Sequence, residues 1–245
     1  MNKELELWKF IADRLNGGQA VMLLVVAESS GSSPGRQGYK MAVGSDGELC
    51  GSIGGGVMEV NLVNQSRSII GAPAPLPATP QSGESVSAIS EQVHRKNSRH
   101  ASGMICSGKQ TVIFKLLTPG DSKTVDSIVE SLISRTPSLL KIAPNDFVQS
   151  PPTGNPPVDF QFEKLTETDF AYRETLGFKN DLYIVGGGHC ALALSELMSK
   201  MDFHISIFDD RPELNTIEKN AFAHQMDVIE SYDTIGEEIP SGKNT

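Results

Sequence analysis

Residues 181–209 limit the possible folds more than any other stretch. Asp181-Leu182-Tyr183-Ile184-Val185 is a short apolar strand that runs directly into Gly186-Gly187-Gly188-His189-Cys190-Ala191, a Gly-x-Gly-x-x-Ala turn. Leu194, Leu197, Met198 and Met201 recur at helical spacing after Ala191, and Phe203–Phe208 is a second apolar run closed by Asp209-Asp210. Strand, glycine turn, helix, strand, then an acid about 20 residues after the glycines is the dinucleotide-binding order. Gly186 permits the tight turn, Gly188 lets backbone N–H groups approach a pyrophosphate, and the small Ala191 lets helix and strand pack closely. The helix start offers unpaired donors and a partial positive charge to an anion. Asp209, at the strand end, is placed to accept ribose hydroxyls. His189 sits at the turn itself, as a surface histidine or as a ligand contact. The same spacing also serves a domain that uses its glycines only for packing.

Upstream the pattern is different. Leu5, Trp8, Ile11, Ala12 and Leu15 share one face of a helix that Gly17-Gly18 ends. Ala20–Ala27 is a continuous, valine-rich apolar run, the signature of a buried strand. Ser29–Gly38 carries no apolar side chain other than Pro34 and reads as a loop. Tyr39–Val43 and Glu48–Ile53 read as two strands joined by a tight turn at Asp46-Gly47. Gly54-Gly55-Gly56 leads into a helix over Val57–Ile70, with Val57, Val60, Val63 and Ile69 apolar. Four prolines between Gly71 and Pro80 predict an extended connection. Strands resume at Gly103–Cys106 and Thr111–Leu117, a helix follows at Lys123–Ile133, and residues 150–157 are a second proline-rich break.

With 245 residues, the chain suits two domains, with a boundary between Phe170 and Asp181 that divides 1–175 from 176–245. The fold class expected is α/β: an N-terminal mixed α/β domain and a C-terminal Rossmann-like domain with a parallel sheet. Only about half of a six-stranded doubly wound sheet can be built from Asp181 to Thr245, so that domain reads as its first half, a fragment or a reduced version. No run of about 18 apolar residues exists to span a membrane. The acids near the start are unlike a signal peptide. Thirty acids against 21 bases, a net charge of −9, leave no basic stripe for nucleic acid. Three scattered cysteines, Cys50, Cys106 and Cys190, exclude a disulfide framework and fit a cytoplasmic protein. By residue type alone, all three read as inert buried residues.

Two polar loops follow apolar strands in the first domain. Gly31-Ser32-Ser33-Pro34-Gly35-Arg36 supplies a fixed cation with five donors, and Gly51-Ser52-Ile53-Gly54-Gly55-Gly56 can form a nest of backbone N–H groups. Together they suit an anionic group such as a phosphate. The alternative is a pair of tight turns in which Glu59 complements the helix dipole.

Taken together, Gly31–Val43, Gly51–Glu59, Cys106-Ser107-Gly108, Ile184–His189 and Asp209–Glu213 resemble the XdhC/CoxI family of accessory proteins for xanthine dehydrogenase and related molybdenum hydroxylases. The resemblance implies an XdhC/CoxI-type domain followed by a Rossmann-like domain. It also implies a non-catalytic role: binding molybdenum cofactor, assisting its sulfuration by a cysteine desulfurase, and delivering it to an apo-hydroxylase. On that reading Ser33, Arg36, Gly54, Gly55, Gly56, Glu59 and Cys106 serve the molybdopterin, and Gly186, Gly188, His189 and Asp209 the second site, with no catalytic residue and no metal ligand among them. The resemblance raises Cys106 from core residue to candidate contact. Ser107 stands where the family often has glycine, and Gly187 where it usually has alanine. A homo-oligomer is expected. The competing function is an NAD(P)-dependent oxidoreductase built on the glycine turn, and a third is a structural partner subunit that binds the hydroxylase and nothing else.

Overall fold

The computed structural model describes residues 3–71, 89–93, 108–134, 136–152, 159–166, 168–177, 180–201 and 203–239. These divide into two compact units. One spans residues 4–176 and the other residues 177–239.

In the larger unit, α1 (Lys3–Asn16) buries Leu7, Trp8, Ile11, Ala12 and Leu15. Then come β1 (Val21–Gly31), β2 (Lys40–Gly44), β3 (Leu49–Gly51), α2 (Gly56–Ile70), β4 (Ile89–Val93) and β5 (Gly108–Leu117). The five strands form one antiparallel sheet in the order β3-β2-β1-β5-β4. Because β1 is central and covered on both faces, its side chains need not alternate in polarity, and Val21–Ala27 are all buried. The strand continues to Gly31, where a loop was expected from Ser29. Cross-strand pairing with Gly108–Thr111 of β5, beyond an irregularity between Val26 and Glu28, holds those polar residues in the ladder.

Next follow α3 (Ser122–Ile133), β6 (Ser138–Ala143), β7 (Asp146–Ser150), β8 (Phe160–Lys164) and β9 (Phe170–Leu176). These four strands make a second antiparallel sheet, β7-β6-β9-β8. One core joins Trp8 and Ile11 of α1, Leu23 and Val25 of β1, Ile113 of β5, Val125 and Ile128 of α3, and Leu140 and Tyr172 of the second sheet. On the opposite face of the first sheet, Met58, Leu62 and Val63 of α2 pack with Met22, Leu24, Val26, Met41 and Phe114. Val57 and Val60 of α2 are exposed instead.

The smaller unit contains β10 (Asn180–Val185), α4 (His189–Met198), β11 (Phe203–Asp209), α5 (Asn215–Glu218) and β12 (Gln225–Val228). Its strands are parallel, in the order β10-β11-β12. Ile184, Ala191, Ile205 and Ile207 form its core, so the small residue after the glycines does lie between helix and strands.

Candidate functional site

The two polar loops of the larger unit meet. Residues 32–39 leave the end of β1, residues 52–55 leave β3, and Gln110 of β5 ties them together. Gln110 is fully buried. Its Oε1 accepts from Ser33 Oγ at 2.8 Å and from Gly35 N at 3.2 Å. Its Nε2 donates to Ile53 O at 2.9 Å. The backbones then touch without side chains between them. A Cβ on Gly54 would lie 2.5 Å from Gly35 N, and one on Gly108 would lie 2.5 Å from Ser33 N. Gly54, Gly55 and Gly56 have φ of 125°, 76° and 75°, a run that L side chains rarely adopt.

The expected nest of donors is therefore present, but it is already occupied. Glu59 Oε2 accepts from Ser52 Oγ at 2.7 Å, Ile53 N at 2.9 Å and Gly55 N at 3.0 Å, while Ser52 Oγ accepts from Gly54 N at 3.2 Å. Glu59 lies one turn into α2, which brings its carboxylate back over the loop, so it fills the nest itself instead of serving a bound cofactor there. Ser33, expected to face a ligand, is buried and donates to Gln110. What stays open is the start of α2, which has no side-chain cap, and the space beside Gly55, where an added Cβ would meet nothing within 4 Å. The exposed Arg36 braces its own loop through Nη1 to Gly31 O at 3.3 Å. Cys106 and Ser107 lie outside the described residues, as do the predicted strand at 103–106 and the proline-rich segment after Gly71.

Behind these loops is a buried charge cluster that the sequence reading passed over. Lys40 Nζ lies 2.7 Å from Glu174 Oε1, 3.0 Å from Glu4 Oε1 and 3.1 Å from Gly38 O. Tyr172 Oη donates to Glu174 Oε2 at 2.8 Å. Burial opposes the charge on Lys40, but the Glu174 and Glu4 carboxylates outweigh it and hold its pKa above the usual lysine range. The lysine thus pins the carbonyl at the base of the 32–39 loop. The signal for Gln110 and Lys40 was a polar residue inside a strand whose neighbours face the core.

In the smaller unit Gly186 has φ 97°, and its N–H donates to Phe208 O at 2.7 Å. Gly188 stands at the start of α4, followed by an exposed His189. The Gly187 N–H is not free for an anion: it donates to Asp209 Oδ2, and the Gly187 carbonyl accepts from Thr216 Oγ1. A Cβ there would meet Ile217 Cδ1 at 2.6 Å, so alanine in place of glycine would have to displace the Ile217 side chain. Asp209, expected to accept ribose hydroxyls, is fully buried and also binds Arg211. Arg211's hydrogen bonds, opposed by burial and helped by the Gly187 and Arg211 N–H groups, hold its carboxyl well below the usual range. Of the cysteines expected to be buried, Cys190 is exposed in the first turn of α4 and Cys50 is half-buried. Burial pushes the Cys50 thiol up. Among the described residues no group of His, Cys, Asp and Glu is arranged to hold a metal ion, and no helix is long and apolar enough to cross a membrane.

Residues 14–75 match the model of the XdhC and CoxI family. Over that segment the chain is similar to the XdhC and CoxI family. That match runs from the end of α1 through β1, β2, β3 and α2, so the XdhC/CoxI segment contributes both loops and Glu59. Gln110, which fastens the loops, comes from outside it. No match was found among curated proteins. A crystal structure of a xanthine dehydrogenase from Bacillus halodurans superposes with a TM-score of 0.63, at 18% identity, over 98% of this chain and 72% of that chain. At that identity the likeness concerns the fold alone.

Proposed function

We propose that this chain is an accessory protein for a molybdenum hydroxylase of the xanthine dehydrogenase type, and that it holds molybdenum cofactor by its phosphate at the two loops. The observation that carries this reading is the convergence of residues 32–38 and 52–56 on Gln110, beside an uncapped helix start. The residues fit such a group in part. The α2 N–H groups from Gly56 onward and Arg36 can receive a phosphate, and the bare backbone at Gly55 lets it approach. Among the described residues no group of His, Cys, Asp and Glu is arranged to hold a metal ion, so the cofactor's own dithiolene sulfurs would carry the molybdenum. When bound, the cofactor supplies the metal centre that the client enzyme uses. This chain's part is to bind and orient it: Glu59 keeps the loop in shape, Gln110 keeps the loops together, and Lys40 fixes their base. Cys106 is the thiol the family resemblance adds. A cysteine desulfurase and the apo-hydroxylase are the partners this role requires, in the cytoplasm and with the chain acting as a homo-oligomer.

The test is retention. The full chain is incubated with molybdenum cofactor and desalted, and the pterin is released by oxidation and measured by fluorescence per mole of protein. Wild type retains pterin. Arg36→Ala loses about tenfold in affinity, the size of one charge-assisted hydrogen bond, with an unchanged melting temperature. Cys106→Ala lowers retention without lowering stability. A wild-type chain that emerges without pterin defeats the proposal.

A further inference from the structure

We infer that the chain's own Asp209–Arg211 pair closes the ribose position of the β10–α4 glycine turn, so this unit takes no dinucleotide through the acid that its sequence pattern offers for that purpose. A carboxylate has about four lone-pair sites. Here all four have donors: Oδ1 accepts from Arg211 N at 2.9 Å and Arg211 Nε at 2.8 Å, while Oδ2 accepts from Arg211 Nη2 at 2.8 Å and from Gly187 N. The side chain of Asp209 has no solvent exposure. A ribose hydroxyl can reach it only by displacing one of these partners, three of which come from a residue two positions away.

The surroundings reinforce the closure. Val185 of β10 pairs with Phe208 of β11, so Asp209 stands beside the strand end from which the glycines leave, as a ribose acceptor should. Instead of facing outward, its carboxylate holds Gly187. Thr216 holds the Gly187 carbonyl, and Leu214 and Ile217 leave no room for a Cβ on it. The turn is therefore fixed in shape without a ligand. A phosphorylated ribose fares no better. The arginine that could receive the phosphate is engaged with Asp209, and Asp210 Oδ1 lies 3.9 Å from its Nε. In this chain the glycine spacing serves packing, and the acid at the strand end serves the glycines. The inference concerns a different unit from the cofactor loops and does not rest on the function proposed above.

The test uses ADP-ribose, whose ribose and pyrophosphate need only β10, α4 and β11, titrated calorimetrically into the full chain. Wild type gives no binding up to about 1 mM, the weak end of measurable affinity. Arg211→Ala removes Nε and Nη2 from Asp209 and binds at least about tenfold more tightly than wild type. Adding Asp209→Asn to that variant abolishes the gain. Micromolar binding by wild type, weakened by Asp209→Asn, overturns the inference. So does an Arg211→Ala chain that melts like wild type but gains nothing, because the pair would then not be what excludes the ribose. Asp209→Asn alone can fail to fold; Arg211, whose side chain is 55% exposed, carries the test. Loss of pterin retention with closure intact would fault the proposed function only.

Discussion

Replacing Gln110 with leucine tests the loop assembly directly. The side chains are close in volume, so the substitution removes polarity more than it changes packing. Three hydrogen bonds disappear: from Ser33 Oγ, from Gly35 N and to Ile53 O. The Ser33 hydroxyl can rotate to another acceptor, whereas the two backbone groups cannot. Each backbone group left buried and unpaired costs about 1–3 kcal/mol, which sets the expected loss near 3 kcal/mol. For a unit of this size that corresponds to a fall in melting temperature of roughly 6–12 °C. Trp8 is the chain's only tryptophan and is fully buried in the same unit, so urea unfolding followed by its fluorescence reads the loss in the correct place. Gln110→Glu keeps the acceptor and loses the donor at the cost of a buried charge, and it should be no more stable than the leucine variant. A loss below about 0.5 kcal/mol for Gln110→Leu, the size of an ordinary surface change, would show that the loops hold together without Gln110.

Other substitutions should behave as follows. Lys40→Met leaves Glu174 buried without its cation and should cost about 3–5 kcal/mol, measured by the same unfolding experiment. Because the folded-state pKa of Lys40 is raised, its contribution is complete below about pH 10.4, the unfolded value, and declines as pH rises towards the higher folded value. The alkaline fall in wild-type stability should therefore flatten in Lys40→Met. Glu59→Ala uncovers the Ile53 and Gly55 N–H groups and should lower stability by about 1–3 kcal/mol, with Glu59→Gln recovering most of it, since the amide oxygen can still accept. Gly187→Ala pushes a methyl against Ile217 and should cost about 1–3 kcal/mol, seen as faster amide exchange in β10 and β11. The depressed carboxyl of Asp209 contributes stability above about pH 3.9 that is lost as pH falls through its lower folded value, so Asp209→Asn should blunt acid unfolding of that unit.

The elements legible from sequence were those whose pattern is local. The apolar run at 20–27, the Asp46-Gly47 turn, the helices at 3–16 and 122–133, and the β10–α4–β11 unit all declare themselves within about a dozen residues. The sheet β7-β6-β9-β8 did not, because its strands are short and the core they share with α1, β1, β5 and α3 is assembled from distant parts of the chain. The loops were recognisable as donor-rich. Whether the donors were free was not, since the answer depends on where a side chain seven residues from Ser52 returns in space. Glu59 and Asp209 make the same point: each acid was read as facing a ligand or a helix dipole, and each instead satisfies the glycine-rich backbone of its own chain. Gln110 stands out only as a polar residue in an apolar strand; its role was hidden because its partners lie 57, 75 and 77 positions away.

That separation affects the order in which the protein is made. Strands β1 to β3 and helix α2 are all synthesised by Ile70, and within them the loops already carry Ser33, Arg36, the glycines and Glu59. The central strand β1 nevertheless has only β2 as a neighbour until β5 arrives to pair along Val21–Gly31. Closing that long-range pairing is slow compared with forming a local hairpin or helix. On the ribosome, and in any intermediate lacking β5, the two loops exist without their clasp. On the function proposed above, a cofactor offered to the emerging chain would find the parts of a receptor but no receptor, and loading would wait until the middle of the sequence had folded back onto its start.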